Sequence, residues 1–119
     1  MLFGSINKLI KIKDNYDEYQ KLEELTIRLQ KDNILDIINN ADVLYKNKDT
    51  IDDILDYMTT IFYNLFIKNM RNNSYINIIK IIEEAKQRLK ANSNFDMSID
   101  HLIFRIWEEI NEDSNRSQV

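Results

Sequence analysis

The feature that most constrains this chain is its near lack of turn residues, because its 119 residues include one glycine and no proline. Strand-rich folds rely on such residues to reverse the chain between strands. Their scarcity favours helices joined by short Asn, Asp and Ser links. Apolar residues make up 44% of the chain, enough for one core in one small domain. We therefore expect an all-α fold, a single compact bundle of five to six helices with antiparallel neighbours.

Composition also narrows the function classes. The chain has no cysteine and one histidine, which argues against disulfides, thiolate chemistry and an ordinary zinc site. Gly4 is the only glycine, so a glycine-rich phosphate loop cannot form. The net charge of −4 argues against broad nucleic-acid binding, and neither a signal peptide nor a membrane-spanning apolar run is present. We expect a cytoplasmic protein without a cofactor, a membrane partner or direct DNA contact.

Hydrophobic periodicity divides the chain into helices and short links. Asp32 and Thr50 are predicted caps, Asn72, Asn73 and Ser74 separate two helices, and Ser93 or Asn94 caps the last helix. The tail from residue 112 is predicted to be disordered. The predicted helices cover residues 5–12, 17–31, 33–46, 51–69, 75–91 and 95–111.

The same periodicity predicts which side chains form the core. Each long helix has apolar residues three or four positions apart, which places them on one face. The predicted core positions are Tyr19, Leu22, Leu25 and Leu29; Ile34, Leu35, Ile38, Ala41 and Leu44 or Tyr45; Ile51, Ile54, Leu55, Met58, Ile61, Phe62, Leu65 and Phe66; Ile78, Ile79, Ile82, Ala85 and Leu89; and Ile99, Leu102, Ile103, Ile106 and Ile110.

The titratable residues favour surface roles over catalysis. Asp100 and His101 point about 100° apart on a helix, so they do not form a pair by spacing. The acidic pairs Glu83–Glu84 and Glu108–Glu109 resemble a catalytic or metal-binding set. However, Glu84 precedes Arg88 by four residues and Glu83 precedes Lys86 by three, which predicts surface ion pairs. The basic stretch Lys80, Lys86, Arg88 and Lys90 is diluted by these carboxylates, and we expect a solvated face.

Four aromatic residues lie beside the apolar faces of their helices: Tyr57, Tyr63, Phe104 and Trp107. Two interpretations stay open for them. Either they widen the core, or they contribute to a protein–protein surface, where aromatic side chains are enriched. They are therefore our candidate subunit-interface residues.

Two stretches resemble a known family. Glu84, Ala85, Leu89, Asn92 and Asn94 match a helix end of bacterial clamp-loader subunits, with the leucine-rich helix that follows matched by Ile99, Leu102, Ile103 and Ile106. The segment 4–9, GSINKL, resembles the junction between the AAA+ lid and the last domain of that family. There Asn7 replaces a usual glycine and Leu9 a usual alanine. Asn7-Lys8 stands where the gamma/tau subunits have Arg-Asp, so the delta-prime branch of DNA polymerase III fits better.

This resemblance implies a domain organisation and a role. Residues 1–12 would end the AAA+ lid, residues 13–111 would form a helical collar domain, and residues 112–119 would be a tail. Collar domains join five subunits into the ring that loads the sliding clamp onto primed DNA. The resemblance implies that the partners are the gamma/tau and delta subunits. It also implies that this chain has no catalytic site of its own, although the complex to which it would belong is a DNA polymerase. Self-association of the isolated chain is a further expectation.

Two other hypotheses compete with the clamp-loader interpretation. One is a stand-alone helical adaptor or regulatory protein that acts through protein–protein contacts. The other is a small helical enzyme that uses its acidic pairs, which would require carboxylates that converge on a cleft and have raised pKa values.

Overall fold

A computed structural model describes residues 16–91 and 94–112 in full and the backbone of residues 113–117. The expected helix at residues 5–12 and the segment 4–9 lie outside the described residues, as do Asn92 and Ser93. Every regular element in the described part is helical, which confirms the all-α fold. The α-helices are α1 (Tyr16–Lys31), α2 (Ile34–Asn39), α3 (Asp42–Tyr45), α4 (Ile51–Lys68), α5 (Ser74–Lys90) and α6 (Phe95–Ser117), with a 3₁₀ turn at Lys48–Thr50 before α4.

Helices α4, α5 and α6 pack as antiparallel neighbours. Asn77 near the start of α5 donates to Glu109 late in α6, and Arg88 near the end of α5 contacts His101 early in α6. The same reversal relates α4 to α5, because Lys86 late in α5 bonds Asp56 early in α4. The short links between these helices produce this arrangement, as expected.

Helix α1 covers the groove between α4 and α6. Near its start, the Tyr19 ring meets the Tyr57 ring of α4 edge-on at 6.3 Å between centroids. Just after its end, the Asp32 carbonyl accepts a hydrogen bond from Trp107 of α6 at 3.3 Å. Helices α2 and α3 then pack against the side of α6 that α5 leaves uncovered. The result is one helical bundle around one core.

The core is a single cluster to which every α-helix contributes. Most predicted core positions are buried, including all of those predicted in α6 except Ile110, which is half-buried. Burial of this many large apolar side chains, at about 1.5–3 kcal/mol each, is the main force that holds the helices together. The fully buried residues with the largest side chains are Tyr57, Phe62, Leu22, Leu25, Leu29, Ile37, Leu44, Leu55, Met58, Ile78, Ile82 and Ile99.

The predicted third helix is wrong in one respect, because it is broken into α2 and α3. The Asn40 backbone N–H bonds back to the carbonyls of Ile37 and Ile38, and its side-chain amide donates to the Asp36 carbonyl at 2.8 Å. These bonds satisfy the carbonyls at the end of α2 and stop the helix. Leu35, predicted to be buried, is 70% exposed, whereas Ile37 is fully buried.

Several predicted helix ends also differ. Asn33, not Asp32, caps α2, since its side chain accepts from the Asp36 N–H at 3.0 Å. Thr50 makes no capping bond because a 3₁₀ turn leads directly into α4. Helix α6 continues to Ser117 rather than ending near residue 111, so the tail predicted to be disordered begins as helix. A formed helix gains one backbone bond for each residue added, which lets the backbone continue through a polar sequence.

In the described part of the corner between α5 and α6, one of the two predicted cap residues caps the helix. The Asn94 side chain accepts a hydrogen bond from the Met97 N–H at 3.0 Å and so caps α6. Phe95 packs against the core, and the Lys48 ammonium lies 5.9 Å from the centre of its ring.

Among the described helices, none has the length and apolar character that crossing a lipid bilayer requires.

Candidate functional site

The first of the four candidate aromatics, Tyr57, belongs to the core. Its side chain is 1% exposed and contacts Tyr19. The prediction that Tyr57 is available to a partner is therefore wrong. Helix α1 covers the flank of α4 on which Tyr57 lies, so the buried face of α4 is wider than one apolar stripe. Periodicity within α4 alone cannot show that a further helix covers this flank.

Tyr63, in contrast, lies on the surface and is 53% exposed. It follows Asp56 by seven residues, two helical turns, so both point to the same side of α4. Asp56 is bonded to Lys86, which places that side next to α5. We call this region the Tyr63 surface.

Phe104 and Trp107 form a second aromatic surface. Their rings pack against each other at 6.1 Å between centroids with a tilt of 35°. Phe104 is 45% exposed, and Trp107 is half-buried with its indole N–H bonded to the Asp32 carbonyl. Phe104 lies one turn after Asp100, whose carboxylate accepts from the Tyr45 hydroxyl of α3. This Phe104 surface therefore lies on the side of α6 that meets α1, α2 and α3.

The two aromatic surfaces are separate. Tyr63 points to the side of α4 next to α5, whereas Phe104 and Trp107 point to the side of α6 away from α5. Exposed aromatic side chains are common anchors of protein interfaces, since they bury a large area with few rotatable bonds. The geometry thus presents two separate faces with exposed aromatic side chains.

His101 lies on the surface and contacts a cation rather than an acid. The Arg88 Nη1 lies 2.6 Å from its Nδ1, and since a guanidinium can only donate, Nδ1 accepts. Partial burial and the nearby charges of Arg88 and Arg105 lower the pKa of His101, and Glu84 opposes them only in part. The described residues contain no cluster of three or more metal-ligating side chains.

Two glutamates of the acidic pairs, Glu83 and Glu109, accept hydrogen bonds from neutral amide side chains, and Glu83 does so instead of forming its predicted ion pair. Lys86 bonds Asp56 of α4 at 2.5 Å instead of pairing with Glu83. Glu83 accepts from Gln87 at 3.5 Å, and Glu109 accepts from Asn77 at 2.8 Å. Burial lowers the pKa of Lys86, but the hydrogen bond and charge of Asp56 outweigh it, and the pKa lies above its usual value. This ion pair therefore ties α4 to α5.

A groove that no sequence motif indicated lies at the corner where α4 turns into α5. It has a volume of about 690 Å³ and is lined by Ile67, Lys68, Asn69, Met70, Arg71, Asn72 and Tyr75. The signal that could have found it is charge, because residues 57–82 contain no Asp or Glu.

Comparison with known proteins identifies no relative of this chain. No family model matches the chain, and neither a curated protein nor a solved structure matches it. The candidate surfaces therefore rest on the geometry of the chain itself.

Proposed function

We propose that this protein acts through protein–protein contact, as an assembly domain that binds a different neighbour on each of two faces. The observation that supports this is the separation of the Tyr63 surface from the Phe104 surface. A subunit of a closed ring contacts its two neighbours through two different patches when the contacts run head to tail. Two exposed aromatic anchors on different helices meet that requirement.

More specifically, we propose the collar domain of a bacterial clamp-loader subunit similar to delta-prime, acting in cytoplasmic DNA replication. This rests on the resemblance of residues 81–106 and 4–9. The corner between α5 and α6, with Asn94 as cap, has the helical form that the resemblance implies. Its partners would be the gamma/tau and delta subunits, and its contribution would be structural rather than catalytic.

Light scattering on the purified chain tests this proposal. We expect a mixed complex when the chain is combined with the collar domains of the gamma/tau and delta subunits of the same organism. Tyr63→Ser should weaken binding to one neighbour and Phe104→Ser binding to the other, each by at least about tenfold, as for interface anchors. Tyr16→Ser, at a tyrosine that is 60% exposed on α1, is the matched control.

The alternative is a stand-alone helical adaptor or regulatory protein, which the same two surfaces would also serve. A folded chain that ignores both clamp-loader partners at micromolar concentration would contradict the collar role. If Tyr63→Ser or Phe104→Ser then disrupts self-association of the chain, the adaptor interpretation takes its place. If neither surface affects any association, both proposals fail.

A further inference from the structure

The corner groove between α4 and α5 combines apolar and cationic side chains. Ile67 and Met70 are 52% and 68% exposed, and the half-buried Tyr75 continues this apolar surface towards the Phe62 ring, 6.3 Å away. Lys68 and Arg71 line the same groove. The groove thus presents exposed apolar side chains beside two cations.

The groove also lies in a basic stretch of an acidic protein. Residues 57–82 carry Lys68, Arg71 and Lys80 and no acidic residue. Their formal charge is therefore +3, which leaves −7 for the rest of a chain whose net charge is −4. Within the described part of the chain, neither Lys68 nor Arg71 forms an ion pair with a carboxylate. Among the described residues, then, no carboxylate neutralises either cation.

We propose that this corner groove binds a short acidic segment of another protein, in which carboxylates flank one or two large apolar side chains. The apolar side chains would enter between Ile67, Met70 and Tyr75, and the carboxylates would meet Lys68 and Arg71. A guanidinium binds a carboxylate with two parallel hydrogen bonds, which favours Arg71 as the anchor. The volume of about 690 Å³ is that of an ordinary ligand cleft.

Charge distinguishes this partner from a nucleic acid. Two cations at the groove suffice for a segment with a few carboxylates. The sugar–phosphate backbone of a nucleic acid would extend beyond the groove. There it would meet the remaining chain, whose net charge of −7 would repel the phosphates. The groove lies on a different surface from Phe104, but Ile67 follows Tyr63 by one turn of α4, so the groove adjoins the Tyr63 surface. The proposal rests on the side chains of the groove itself and does not require the clamp-loader role.

Fluorescence anisotropy with the full chain tests the proposal. The probe is a labelled synthetic peptide in which Asp and Glu alternate with Leu and Phe. Two control peptides replace either the acids by Asn and Gln or the apolar residues by Ala. We expect the acidic apolar peptide to bind at least about tenfold more tightly than either control, with an affinity that falls as salt screens the charges.

Variants locate the site. Arg71→Glu and Lys68→Glu should each weaken binding of the acidic apolar peptide about tenfold, whereas Lys21→Glu, the same charge change at an exposed position of α1, should not. Far-UV circular dichroism of each variant verifies the fold. Equal binding of all three peptides, no effect of Arg71→Glu, or tighter binding of oligo-dT or anionic vesicles would overturn the proposal. Loss of peptide binding without loss of the mixed complex would separate it from the proposed function.

Discussion

At the scale of single residues, two tyrosines on one helix have opposite environments. Tyr57 is 1% exposed and Tyr63 is 53% exposed, although they are less than two turns apart on α4. Tyr57→Ala leaves a cavity in the core and should destabilise the protein by about 3–5 kcal/mol. Tyr63→Ala should cost less than about 0.5 kcal/mol. Urea unfolding measures both, and equal losses would contradict the assignment of Tyr63 to the surface.

His101 gives a pH dependence at the same scale. Its pKa is lowered in the folded chain, so the unfolded chain binds the proton more readily. The contribution of His101 to stability is complete above its usual pKa of about 6.5 and is lost as the pH falls through the lower folded value. We expect the urea midpoint to fall over this range, and to fall less in His101→Gln, which cannot titrate. Because the His101 side chain is exposed, the change in stability with pH should be small. An identical pH profile in His101→Gln would contradict the effect.

At the scale of the helices, two ion pairs differ in their surroundings. Lys86 and Asp56 join α5 to α4 with side chains that are 17% and 24% exposed, whereas Lys46 and Asp42 lie within α3 and its end, at 75% and 71%. Lys86→Met should cost about 1–3 kcal/mol, since a charged hydrogen bond is lost away from water. Lys46→Met should cost less than about 1 kcal/mol. Thermal unfolding compares the two, and equal costs would argue against a tie between α4 and α5.

How much of these elements the sequence predicts depends on local signals. The helices α1, α4, α5 and α6 were predictable because each repeats apolar residues over several turns. The break at Asn40 was not, since neither glycine nor proline marks it. Ile34, Leu35, Ile37 and Ile38 also allow two helical faces, and contact with α6 selects the one that contains Ile37.

The candidate site was predictable only in part, for the same physical reason. A position beside an apolar stripe is ambiguous until the neighbouring helix is known. The sequence placed Tyr63 and Phe104 beside the apolar stripes but left open whether they are buried or exposed, and it could not separate them from Tyr57, which α1 covers. It also missed Lys68 and Arg71, because their importance comes from the shape of the corner between α4 and α5.

At the scale of the whole molecule, one core connects all the helices, so we expect the described bundle to unfold in one step. Trp107 is the only tryptophan, and it joins α6 to the end of α1 through its bond to Asp32. Its fluorescence and the far-UV circular dichroism of the helices should therefore change at the same urea concentration. Two distinct midpoints would show that α1 and α2 detach before the rest of the bundle.

The uneven distribution of charge, +3 over residues 57–82 and −7 over the others, also affects how the molecule meets other proteins. It makes the turn between α4 and α5 a local region of positive charge. In the field of a negatively charged protein, the attraction of that region turns it towards the partner before contact. Fewer collisions then fail through wrong orientation, and association becomes faster at low salt than at high salt. The absence of acidic residues from one stretch of sequence thereby influences the rate of encounter as well as the affinity.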